Sequence, residues 1–270
     1  MTSRTFLLIT LGALTFGGAQ CATAPAPYLG VAPQGTPTAG KHFASTTCLS
    51  CHGMHGNSVS PTFPNLAGQN YNYLLKQMEA FRSGARKASP MNAMIGTVPK
   101  QKGDQNLKNI AAYYAQQKLN RQANANAHAP KLTKAEAKEG YDVYMRGLPS
   151  THVPSCDACH GSDGTGMAPM AIPSLAGQHA AYIEKELKLF ASGKRTNSPG
   201  HVMAMIAKRL TPAQIKDVSL YAQALHPDLV PGRGPKSSQA YVKALASQPV
   251  PGVPESAMKS PKTASASAGK

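Results

Sequence analysis

The sequence predicts an all-α protein built as a tandem of two similar helical units. Three observations carry this: a gapless internal repeat, helical spacing of apolar residues within each copy, and no alternating strand pattern of useful length. The repeat sets "FPNLAGQNYNYLLKQMEAFRSGAR" (63–86) against "IPSLAGQHAAYIEKELKLFASGKR" (172–195) at an offset of 109 positions, with 11 of 24 residues identical. Both copies follow a short cysteine motif and precede a segment holding a pair of methionines, so a whole domain was duplicated.

Along the chain, residues 1–24 read as a signal peptide, with Arg4 as the positive start, Phe6 to Phe16 as the apolar stretch and small residues near Ala19 for cleavage. The apolar stretch falls short of the roughly 20 residues that a membrane span needs. Cys21 raises a lipoprotein reading, but Gln20 before it is bulkier than that cleavage prefers. An exported chain is expected in the periplasm, with peripheral membrane association open to it. The first domain is expected over 37–120, a polar linker "NRQANANAHAPKL" around 121–132, and the second domain over 133–230. From 231 to 270 the chain turns to Pro, Ser, Ala and Lys, which predicts a basic tail without a core, with a brief helix at most around 239–246.

Within the domains, Leu74, Leu75, Met78 and Phe81, and again Ile183, Leu187 and Phe190, fall on helical stripes that Gly84 and Gly193 end. Further helices are expected before each cysteine motif, from Lys41 to Thr47 and from Thr133 to Gly147. A closing helix is expected in each unit, over Asp104 to Gln117 and Thr211 to Leu225, the latter opened by Thr211 and Pro212. The methionine segments read as loops.

The chain carries 28 Lys and Arg against 12 Asp and Glu, a formal net charge of +16. Nucleic acid is not the expected partner, because the chain is exported and its basic residues are dispersed rather than striped among stacking aromatics. A solubilising surface is the plain reading. A basic face that steers an acidic redox partner is the second.

The chemistry lies in "CLSCH" (48–52) and "CDACH" (156–160). Once Cys21 is removed, Cys48, Cys51, Cys156 and Cys159 are all the cysteines left, and as all four belong to these motifs no further thiol remains for a structural disulfide. C-x-x-C alone suits zinc, a redox dithiol or haem. The adjoining histidine selects covalent haem c, because two thiols on one helical turn can bond the porphyrin while His52 and His160 face its iron. The rival readings, two Cys2His zinc half-sites or a redox dithiol, account less well for two such motifs set in matched repeats and using every remaining cysteine. The other axial ligand largely sets function. Met91 or Met94 in the first unit, and Met203 or Met205 in the second, stand where one methionine could bind iron and its neighbour pack. Met54, Met167 and Met170 follow their motifs too closely to reach the opposite face of a haem. His55, His179 and His201 read as solvent-facing or hydrogen-bonding residues, with His201 a substitute ligand at most.

These motifs in combination, CxxCHGxxG, "FPNLAGQ", a methionine segment and "IAAYYAQQ", repeated as "CDACHGSDGTG", "IPSLAGQ", "MAMIAKRL" and "SLYAQAL", resemble the dihaem cytochrome c4 family from about Gly40 to Leu225. The resemblance implies two class I cytochrome c domains with their haems close together. It implies axial pairs His52 with Met91 and His160 with Met203, where "PKQK" (99–102) is an insertion after Met91 that keeps Met94 open. The "TAPAPYLG" stretch is similar to c4-type carriers of acidophilic iron oxidisers, which link a blue copper protein to a terminal oxidase. The expected function is therefore periplasmic electron transport, from a blue copper protein or a quinol-oxidising complex to a terminal cytochrome oxidase. The rival is a dihaem oxidoreductase acting on thiosulfate, peroxide or a similar small species.

Overall fold

The computed structural model describes residues 34–120 and 133–225, and the expected signal segment, linker and tail lie outside the described residues. Helices dominate, and the described residues include no strand, only isolated bridges joining Leu148 to Val153 and Met167 to Ile172. None of the described helices is long and apolar enough to cross a membrane.

In the first unit α1 (Pro37–Phe43) runs through a wide turn at Ala44–Cys48 into α2 (Leu49–His52). Then come α3 (Tyr71–Ser83), α4 (Ser89–Thr97) and α5 (Gln105–Ala115). The second unit repeats the plan with α6 (Lys134–Arg146), α7 (Asp157–His160), α8 (Ala180–Ala191), α9 (Val202–Ala207) and α10 (Pro212–Ala224). The helix before the first motif starts at Pro37 rather than near Lys41, because Pro37 supplies a fixed φ at the first helical position. The methionine segments are short helices rather than loops. At six and nine residues they are too short to show a periodic apolar face in the sequence.

Each unit closes by crossing its first helix over its last, α1 on α5 and α6 on α10. The crossing points are glycines. A Cβ on Gly40 would lie 2.0 Å from the Asn109 carbonyl oxygen, and one on Gly140 would lie 2.4 Å from that of Asp217. Backbone thus touches backbone, and no side chain fits between. Around each crossing the cores solve one packing problem in two ways. In the first unit Tyr114 of α5 shares the core with Ala44 of the segment after α1, while in the second Tyr144 of α6 shares it with Ala222 of α10. Both tyrosines are 1% exposed. The large ring has moved from one crossing helix to the other with volume conserved, the exchange that cores tolerate best.

The two units meet through a pseudo-twofold junction whose equivalent residues, such as Gln69 and Gln178, sit 109 positions apart. Gln178 Nε2 donates to the Asn65 carbonyl oxygen at 2.9 Å while its Oε1 accepts from the Asn65 N–H at 2.9 Å. Gln69 does the same to Ser174, at 2.9 and 2.8 Å. Beside these pairs, Arg86 bonds the Tyr182 hydroxyl at 2.9 Å and Arg195 that of Tyr73 at 3.2 Å. Asn70 and Asn72 reach the carbonyl oxygens of Ile172 and Ala168, and His179 Nε2 donates to that of Ser58 at 3.0 Å. The contact is isologous, each surface patch meeting its own counterpart.

Candidate haem sites

α2 and α7 are single turns, and that brevity presents the motif. Cys48 and Cys156 open the turns half-buried against their cores, Cys51 is half-buried and Cys159 is exposed. His52 and His160 close the turns at 4% and 7% exposure. Gly53 and Gly161 follow at φ of 73° and 81°, a conformation open to glycine that stops the helix directly after the imidazole.

The ring of each histidine is fixed from behind. His52 Nδ1 lies 2.9 Å from the Pro64 carbonyl oxygen and His160 Nδ1 lies 3.0 Å from that of Pro173. A carbonyl only accepts, so each Nδ1 carries the proton and each Nε2 keeps its lone pair. His52 Nε2 is buried without a hydrogen-bond partner. Burial also pushes both imidazoles below their ordinary pKa, against the opposing pull of the carbonyls, and so keeps them neutral. An oriented, neutral, unpartnered imidazole nitrogen is a metal ligand in waiting. Burial likewise raises the Cys48 thiol above its usual pKa and that of Cys156 to about 12. The residues present fit haem c.

The methionines divide within each pair. Met91 is half-buried and packs on the first core, while Met94 is 36% exposed. Met203 is half-buried and packs on the second core, while Met205 is 50% exposed. Met54 and Met170 lie on the surface at 62% and 64% exposure. His55 is exposed with its Nδ1 2.9 Å from the Tyr113 hydroxyl, and His201 is exposed with its Nδ1 3.1 Å from the Thr196 carbonyl oxygen. His179, by contrast, is fully buried in the junction.

"LAGQ" has the composition of a turn, and Arg86 and Arg195 follow the helix-ending Gly84 and Gly193. The structure gives both sets a second task. Gln69 and Gln178 clasp the opposite unit, and Arg86 and Arg195 are buried at 5% and 6% exposure in the junction. Their signal in the sequence is identity between the copies beyond what a turn requires.

A tandem of helical domains, each with a cysteine pair and an oriented histidine on one short turn, defines a c-type cytochrome with two haems. The comparisons agree. The cytochrome c family model matches residues 37–118 and 137–226. Cytochrome c4 of Azotobacter vinelandii is 37% identical over 67% of this chain and 86% of its own length. Cytochrome c-552 of Acidithiobacillus ferridurans is 35% identical over 83% of this chain and 88% of its own. A protein of Thiomonas intermedia described as a thiosulfate dehydrogenase electron acceptor is 32% identical over 83% of this chain and 93% of its own. The crystal structure of reduced cytochrome c4 from Pseudomonas stutzeri superposes with a TM-score of 0.63 at 35% identity, over 71% of this chain and all of that one. The chain belongs to the cytochrome c family, and within it to the dihaem cytochrome c4 group, with haem c bound covalently at Cys48 and Cys51 and at Cys156 and Cys159.

Proposed function

We propose that this protein is a periplasmic electron carrier whose irons are held by His52 with Met91 and by His160 with Met203. Bound haem supplies the chemistry, one electron per iron between the ferrous and ferric states. The polypeptide buries the ring, presents the two axial side chains and excludes water. The observation that carries the reading is the same in both units: a buried, neutral imidazole matched with one core-packed thioether, the second thioether turned to solvent. Thioether ligation raises the reduction potential and fills the sixth position, which suits electron transfer over chemistry on small ligands.

The expected acceptor is a membrane-bound terminal oxidase, and the donor a blue copper protein or a quinol-oxidising complex. Resemblance to the carrier of acidophilic iron oxidisers supports the copper donor. The relative described as a thiosulfate dehydrogenase electron acceptor supports a dehydrogenase donor instead, with thiosulfate oxidised elsewhere. The rival dihaem enzyme needs one iron with a replaceable distal ligand, and the matching methionines in the two units weigh against it.

Optical redox titration of the purified holoprotein tests the proposal. The expected result is two one-electron waves, with a far-red methionine-to-ferric-iron band accounting for both haems. Met91→Ala and Met203→Ala should each remove half of that band, and Met94→Ala and Met205→Ala none of it. A band that counts only one haem, together with ready cyanide binding at the other, would transfer the assignment to the enzyme.

A further inference from the structure

The junction and the two histidines meet in a single peptide unit on each side. The Pro64 carbonyl oxygen that accepts from His52 Nδ1 belongs to the same peptide plane as the Asn65 N–H, and that N–H donates to Gln178 Oε1 in the second unit at 2.9 Å. The Pro173 carbonyl oxygen that accepts from His160 belongs to the peptide of the Ser174 N–H, which donates to Gln69 Oε1 in the first unit at 2.8 Å. Each glutamine also donates through Nε2 to the carbonyl oxygen of that same residue, Asn65 or Ser174, at 2.9 Å in both cases, so one amide holds the residue by both its N–H and its carbonyl. All four residues are buried or half-buried, where hydrogen bonds polarise one another most strongly.

We propose that Gln178 tunes the haem of the first unit and Gln69 the haem of the second, each acting across the junction as a positioning residue. The path is amide oxygen, peptide, imidazole. A peptide whose N–H is engaged has a more negative carbonyl oxygen, and that oxygen pulls harder on the Nδ1 proton. The imidazole then becomes a stronger donor and favours the ferric state. Loss of the glutamine weakens the pull and favours the ferrous state. The inference rests on the axial roles given to His52 and His160. It goes beyond them in stating that each ligand is controlled from the other unit. Either glutamine also accepts from the N–H at the start of its own helix, Asn70 or His179, at 2.9 and 3.0 Å. A merely structural role would therefore disturb the glutamine's own unit as much as the opposite one.

The test uses the holoprotein with Gln178→Met and Gln69→Met, which keep side-chain length and remove the amide. The two waves are first assigned with Met91→His and Met203→His, each expected to displace one wave. If neither does, the axial reading fails independently of this proposal. With the waves assigned, Gln178→Met should raise the reduced-to-oxidised ratio of the first unit's haem about three- to tenfold at fixed potential, leaving the other within a factor of two. Gln69→Met should do the reverse. The Nδ1 proton resonance of the opposite unit's histidine should move upfield in the ferrous protein as its hydrogen bond weakens. Restoring the acceptor alone with Gln178→Glu should return that resonance toward its original place. Shifts confined to the glutamine's own unit, equal shifts in both, or none in either would overturn the proposal.

Discussion

Glu186 shows what one side chain decides in this molecule. Its two oxygens lie 2.9 Å from Arg86 and 2.8 Å from Arg195, and both guanidiniums are buried with it. The repeat-related residue is Gln77, a neutral amide whose Oε1 accepts from Arg86, Arg195 and Asn197. One carboxylate thus serves two buried cations. Stacking of Arg86 over Phe81 and Arg195 over Phe190, at 4.6 and 4.4 Å, offsets part of the desolvation but supplies no counter-charge. Removing one partner of a buried pair costs about 3 kcal/mol, because the other charge stays buried. Glu186→Gln is therefore expected to lower unfolding stability by about that amount, measured by denaturant titration of the holoprotein. A change below about 0.5 kcal/mol would mean that the arginines reach solvent or another anion when Glu186 is neutral.

Among the elements, the helix crossings carry the domains. Gly40 and Gly140 let α1 meet α5 and α6 meet α10 with backbone in contact, and those crossings close the units around the cysteine turns. A methyl group at Gly140 would meet the Asp217 carbonyl oxygen and, at 2.8 Å, the Tyr221 Cβ, neither of which is the free end of a flexible chain. Gly140→Ala should cost about 2 to 3 kcal/mol through forced separation of the helices, although alanine is the better helix former. Thermal unfolding checks the sign: a stabilised variant would mean that the crossing yields easily. The capping boxes at Thr133 with Glu136 and Thr211 with Gln214 fix where α6 and α10 begin, and the start of the second was legible in Thr211 followed by Pro212. The helicity of the methionine segments was not legible, since at nine and six residues they pack on the core without showing an apolar stripe.

For the molecule as a whole, charge is unevenly divided. Residues 34–120 hold nine Lys and Arg against two Asp and Glu, a net +7, whereas residues 133–225 hold ten against eight, a net +2. Both totals are positive, so the field attracts anionic partners, and more strongly at the first unit. Oxidation of the reduced protein by hexacyanoferrate(III), one electron per ion, should slow by roughly tenfold as ionic strength rises from about 0.01 to 0.15 M. Reaction with a cationic cobalt(III) complex should quicken over the same range. Stopped-flow rates decide this, and a salt-independent pair of rates would show that the field at the haem edges is not the field of the whole.

Covalent geometry and short-range order explain what could be read from the chain alone. Two thiols and an imidazole within five residues specify haem attachment whatever surrounds them, and a period near 3.6 specifies helix, so fold class, duplication and cofactor followed from local spacing. Which methionine of each pair is packed and how Tyr114 and Tyr144 exchange places depended on residues tens of positions apart coming together within a unit, and why "LAGQ" occurs twice depended on residues 105 to 113 apart meeting across the junction. Contacts at that separation leave no periodicity in a sequence, so folding alone decided that the glutamine of one unit would hold the peptide behind the histidine of the other.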